Sequence, residues 1–186
     1  YDDSIYAIDN STAEICFGHL EIKGFEMMRG HYNDQGLEPS QFKRFEKVIS
    51  GHFHKKSDDG HVYYLGSQYE MTWSDYKDPK GFHIFDTETR ELERIVNPRR
   101  IHKKIYYNDT DQDYYKRDIK EYDKSLVKLF VSNKTDEDMF NAFVDRLQTQ
   151  INIHELNIIE DNMSDVSSSV REDILEQGED TLTFLG

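Results

Sequence analysis

The stretch Val48-Ile49-Ser50-Gly51-His52-Phe53-His54 constrains the fold of this chain more than any other. Two β-branched residues read as a strand, and the glycine behind them lets the backbone turn sharply where the strand ends. Side chains two apart on an extended segment point the same way, so His52 and His54 aim at one locus. Imidazole is the commonest protein metal ligand, and two on one rim make half a transition-metal site. The plain alternative is a pair of surface histidines in a turn. Ile15-Cys16-Phe17-Gly18-His19 repeats the pattern of a short apolar run, then glycine, then histidine. Two such strand ends predict parallel strands delivering ligands to a common edge, where open α/β sheets hold their sites.

Charge complicates a nucleic-acid reading. The chain carries 37 acidic and 23 basic residues, a net of −14, and phosphate affinity comes from lysine and arginine. The excess is uneven, however. Residues 160–186 hold eight acids against one arginine, half of the net charge. Arg99-Arg100-Ile101-His102-Lys103-Lys104 is a compact basic run, which reads either as a DNA contact or as a solvated face. The single cysteine, Cys16, excludes an intramolecular disulfide and is expected to be a buried, reduced small hydrophobe. No apolar run approaches the length of a membrane span.

Along the chain, residues 4–10 read as a helix fragment and 14–18 as a strand. Pro39 suits a first helical turn, with Phe42, Phe45 and Val48 as an apolar face. Strands are expected near 62–66, 81–86 and 91–96, with a boundary at Asn97-Pro98. Beyond it, 101–107 and 125–132 read as strands. A helix starting at Thr135-Asp136-Glu137-Asp138 follows, with Met139, Phe140, Phe143, Val144, Leu147 and Ile151 on one face. A returning strand runs through Ile153–Ile159. Residues 160–169 are acidic and serine-rich, hence a linker, and Val170 to Leu185 give a weak amphipathic pattern broken by Gly178.

The order Gly18-His19-Leu20-Glu21, Gly24-Phe25, Gly36-Leu37-Glu38-Pro39, Ser50-Gly51-His52-Phe53-His54, Tyr64-Leu65-Gly66-Ser67, Asp78-Pro79-Lys80-Gly81-Phe82 and Phe85-Asp86-Thr87-Glu88-Thr89 resembles the calcineurin-like metallophosphoesterases. More narrowly it resembles the SbcD-type DNA nucleases and, within them, the recombination endonuclease subunits of T-even-type bacteriophages. Gly-His-x-His fits the whole superfamily; Gly-Leu-Glu-Pro and Phe-Asp-Thr-Glu-Thr point to the phage branch. The family's Asp-x-His, Gly-Asp-x-x-Asp and Gly-Asn-His-Asp motifs normally lie upstream, and none is expected within these residues. With no initiator methionine at Tyr1, the expectation is the C-terminal portion of a longer protein.

That resemblance implies an α/β fold: residues 1–97 as the C-terminal half of a metallophosphoesterase β-sandwich flanked by helices, 98–159 as a small α/β capping domain contacting DNA, and 160–186 as an acidic linker with the start of a partner-binding helix. It implies His19 and His52 as ligands of one ion and His54 as ligand of a second. The metal is expected to be manganese, with magnesium or zinc as alternatives. His31, Tyr64, Ser67, Trp73, Arg99, Arg100, Lys103 and Lys104 are candidates for substrate contact. For Tyr64, Ser67 and Trp73 the competing role is ordinary loop packing, and for His31 a solvent-facing loop. The implied function is a DNA exonuclease and endonuclease subunit acting in recombination, repair and replication with an SMC-like coiled-coil ATPase. A homodimer is compatible with it, a membrane partner is not, and the location is cytoplasmic, in the host cell if phage-encoded. Two other readings stay open: a phosphatase or phosphodiesterase on small substrates, and a non-catalytic interaction module. Three histidines cannot hold two ions, so the chain by itself is expected to be inactive.

Overall fold

The apolar runs become strands of a mixed α/β chain in the computed structural model, which describes residues 2–28 and 30–160. The chain divides into two units between Arg99 and Arg100. The first unit opens with helix α1 (Asp2–Asn10). Strand β1 (Ile15–Gly18) follows, then a small antiparallel pair, β2 (Glu26–Met28) and β3 (His31–Tyr32). Next come β4 (Lys47–Ser50), β5 (Ser57–Asp58) and β6 (Val62–Tyr64). These form a four-stranded sheet in the order β1-β4-β6-β5, with β1, β4 and β6 parallel and β5 antiparallel at the edge. The parallel pairing expected from the two Gly-His strand ends is present.

Strand β4 lies between β1 and β6, which is why Val48 and Ile49 are both buried although they face opposite sides. Phe42, Phe45, Val48, Phe53, Val62 and Tyr64 form the core beneath them with Ile8, Ile22 and Phe25, and Cys16 packs partly buried against it. Burial pushes the Cys16 thiol up from its ordinary value, as expected of a thiol used as a hydrophobe. The helix expected from Pro39 shrinks to a single 3-10 turn, Pro39–Phe42. Val48 is β-branched and is claimed by ladder bonds on both sides, so the strand wins over a helical face. The segments near 81–86 and 91–96 pair with each other, as the hairpin β7 (Gly81–Phe85) and β8 (Leu92–Val96).

In the second unit, β9 (His102–Asn108), β10 (Leu126–Asn133), α2 (Glu137–Thr149) and β11 (Glu155–Glu160) form a parallel sheet, order β11-β10-β9, with one helix. Asp136 caps α2 by accepting from the Met139 N–H at 2.9 Å, and Glu137 and Asp138 sit in the first turn, where the helix dipole favours them. The expected apolar helix face is present: Phe140, Phe143 and Leu147 are buried with Ile105, Tyr107, Tyr114 and Leu129, and Met139, Val144 and Ile151 pack against them. The linker and amphipathic pattern expected over 160–186 fall, beyond Glu160, outside the described residues.

Candidate metal-binding site

Strands β1 and β4 are paired so that Gly18 stands opposite Ser50, and the Gly51 N–H continues the ladder to the Gly18 carbonyl at 3.1 Å. Both chains therefore leave the sheet side by side, and the next residue on each is a histidine. Nδ1 of His52 lies 3.1 Å from Nε2 of His19, with the rings edge to face at 4.9 Å between centroids. Both residues are exposed. A Cβ on Gly51 would stand 3.0 Å from His19 Nδ1, so the glycine makes room for the ring. His52 itself has φ +75°, a left-handed conformation that costs a non-glycine residue about 1–2 kcal/mol. Strain of this kind persists only where the surroundings over-determine it, and it concentrates at functional sites.

The flank of His19 is anchored by buried polar groups. Ser50 Oγ, at 0% exposure, accepts from the Leu20 N–H at 3.0 Å. The Tyr64 hydroxyl accepts from the Ile22 N–H at 2.9 Å and donates to the Leu20 carbonyl at 2.8 Å. Burial pushes the Tyr64 phenol up to about 12. Tyr64, a candidate for substrate contact, is thus a core residue whose hydroxyl is already committed to backbone.

His54 is held by a separate set of contacts. Its carbonyl accepts from the Ser67 N–H at 2.9 Å and from Lys80 Nζ at 2.8 Å. Gly66, at φ +75°, keeps that approach open, since a Cβ there would lie 3.0 Å from the same oxygen. Lys80 is 1% exposed and also pairs with Asp75 at 2.6 Å and Asp78 at 2.7 Å. Asp75 accepts from the N–H groups of Met71 and Thr72 at 2.8 and 3.0 Å, and its Oδ2 faces His54 Nδ1 at 3.6 Å. Burial alone would raise the Asp75 carboxyl, but Lys80 and the two backbone donors outweigh it and hold it below the ordinary carboxylate range. The Tyr-x-Gly-Ser and Lys-Gly-Phe segments thereby acquire a physical role: they clamp His54. Sequence reasoning missed Asp75 and Lys80, although the Lys80-Gly81-Phe82 motif was the available signal.

The remaining candidates are dispersed. His31 sits exposed on β3, and half-buried Trp73 opens a 3-10 turn, Trp73–Asp75, with its ring 6.5 Å from Tyr76. Lys103 and Lys104 are successive residues of β9 and so point to opposite faces. Lys103 Nζ lies 3.9 Å from Glu121, whereas Lys104 Nζ stands 5.8 Å over the Phe130 ring. Arg99 is exposed, with its N–H bonded to Asn97 Oδ1, and Arg100 is half-buried. Asp59-Gly60-His61 spells Asp-x-His but forms a turn, with Asp59 Oδ1 accepting from the N–H groups of His61 and Val62. Among the described residues, no three His, Cys, Asp or Glu side chains gather where one ion could be held. The geometry brings together the His19–His52 pair and, separately, His54 with Asp75.

What fold and site define is an α/β chain with histidines paired at the C-terminal ends of parallel strands. Over 175 residues, 94% of this chain and 49% of the relative, it is 33% identical to exonuclease subunit 1 of Enterobacteria phage T4. Over 98 residues, 46% of the chain and 25% of the relative, it is 26% identical to the SbcD component of the SbcCD nuclease of Staphylococcus epidermidis. The chain is thus related to the SbcD-type nuclease subunits, as its motifs indicated, and it spans about half the length of the phage relative. No family model matches it. No helix among the described residues is long and apolar enough to cross a membrane.

Proposed function

We propose that this chain supplies part of the metal site of a DNA nuclease subunit, a phosphodiester hydrolase of the calcineurin-like kind. The observation that carries the reading is the His19–His52 pair. Two ring nitrogens 3.1 Å apart have the spacing of two ligands on one ion, since metal–nitrogen bonds of about 2.0–2.1 Å put neighbouring ligands about 3.0–3.4 Å apart. The donor set therefore fits a divalent metal, and the strained φ of His52 keeps that convergence. His54 is the ligand for a second ion. Manganese is the proposed metal, and imidazole with carboxylate partners also accepts zinc. When bound, such ions neutralise charge on the phosphate and lower the pKa of water. The chain's own residues orient the three imidazoles, and two ions need further ligands beyond these three.

Residues 1–97 are proposed as nuclease domain and 98–159 as a capping domain, with DNA as substrate and a coiled-coil ATPase as partner. The names of the two relatives, one an exonuclease component and the other a nuclease component, support the nuclease part of this reading. Ser67 and Trp73 flank the His54 clamp, and Arg99, Arg100 and Lys104 offer positive charge to phosphate. The test is a chimera carrying the N-terminal half of the phage T4 relative ahead of Tyr1, assayed with manganese on a linear duplex. His52→Ala and His54→Ala should each abolish cleavage, whereas His83→Ala and His154→Ala leave it intact. Full cleavage by the His54→Ala chimera would contradict the assignment.

A further inference from the structure

The Asp75–Lys80 pair is a buried ion pair in the first unit. Both side chains are at most 5% exposed, and taking two charges out of water costs several kcal/mol per ion before their attraction is counted. Apolar residues of the same volume would stabilise a plain loop as well or better. The arrangement is also over-connected for a packing role. Lys80 reaches two carboxylates and the His54 carbonyl, and Asp75 takes two backbone N–H groups while facing the His54 ring. Two of these contacts touch His54 directly, Lys80 at its carbonyl and Asp75 at its Nδ1 edge, and the others hold Asp75 and Lys80 in place.

We infer that Asp75 and Lys80 are positioning residues for His54: the carboxylate fixes the proton on Nδ1 and leaves Nε2 as the bare, ligand-ready nitrogen, while the ammonium pins the backbone that carries the ring. A histidine ring has two nitrogens, and the partner of one decides which is free to donate its lone pair. Oδ2 already satisfies the Met71 and Thr72 N–H groups, so it is fixed in place before it meets the imidazole. Its distance of 3.6 Å from Nδ1 is short enough for charge to select the tautomer, because a neighbouring anion favours N–H over a lone pair. Among the described residues the ring has no such partner on its other edge, and its side chain is 39% exposed. The inference rests on His54 as a metal ligand for its purpose, but the tautomer itself needs no metal.

The experiment is a long-range proton–nitrogen correlation spectrum of the histidine rings in the 15N-labelled chain, metal-free, at about pH 8, where imidazole is neutral. The expected wild-type result is a His54 signal of the Nδ1–H form. In the double variant Asp75→Leu with Lys80→Met, an apolar replacement of the pair, His54 should lose that form and shift to the Nε2–H form that a free histidine side chain favours. The His19 and His52 signals should not move. An Nε2–H tautomer in wild type, or an unchanged one in a folded double variant, overturns the inference. The wild-type spectrum alone decides it if the variant fails to fold. Manganese added as a paramagnetic probe separates the two claims. Broadening of the His54 ring signals supports both; an Nδ1–H tautomer without broadening upholds the positioning role and removes the metal ligand.

Discussion

Parallel strands end in polar residues in both units, but the two ends are put to different uses. At the ends of β9 and β10, Asn133 donates to Asn108 Oδ1, and Asp109 accepts from the Thr135 hydroxyl and the N–H groups of Thr135 and Asp136. The Asp109 carboxylate there is spent on joining strand to helix. These bonds hold the Asp109 carboxyl below its ordinary value, the Asp136 N–H first among them. At the ends of β1 and β4, the chain instead presents two exposed imidazoles to each other, one on a left-handed backbone. The polar bonds of this region lie one layer back, in Ser50, Tyr64, Asp75 and Lys80. One strand end is built for stability, the other for presenting ligands.

The comparison breaks most readily at the core of the second unit. Phe143→Ala should cost about 3–5 kcal/mol, because the ring is fully buried against Tyr107 and Tyr114; a chemical-denaturation curve measures it. In the first unit, Lys80→Ala should cost about 3 kcal/mol by leaving Asp75 buried and uncompensated. Loss of under 1 kcal/mol there would mean the pair is solvated. Tyr64→Phe should cost about 1–3 kcal/mol, since the Ile22 N–H loses its buried acceptor. It should also change the alkaline limit. The Tyr64 phenol is raised in the folded state to about 12 by burial, against roughly 10 in an unfolded chain. Its stabilisation is therefore complete below pH 10 and lost as pH rises through 12, a loss the Phe variant should lack. Asp136→Ala, which removes the α2 cap, should cost only about 1 kcal/mol. Lys104→Glu should leave stability nearly unchanged; measured across a salt series, it should lower the duplex-binding slope by about one.

The strand ends were legible in sequence because the β-branched run and the glycine sit next to the histidines they position. The second unit was legible too, since the helix face from Met139 to Ile151 has one dominant period. Two features were not. Phe42, Phe45 and Val48 match helical spacing by number, yet Val48 pairs on both sides with strands distant in sequence, which local periodicity cannot register. Asp75 and Lys80 are ordinary charged letters in a loop, and only the three-dimensional approach of His54 makes them a buried pair. The basic run is divided in a way the sequence does not display, because neighbouring lysines on a strand face opposite sides.

His52→Gly tests most directly the claim that the first unit accepts strain in order to present ligands. Glycine adopts φ +75° without penalty, so after its own entropic cost the variant should gain about 0.5–1 kcal/mol. That gain would raise the unfolding midpoint by a few degrees. Titration calorimetry with zinc on the same sample should show binding weakened by tenfold or more relative to wild type, because His19 would be left alone. A variant that is more stable and binds zinc at least about tenfold more weakly is the predicted result. A variant that is no more stable, or that binds zinc as wild type does, would contradict the account.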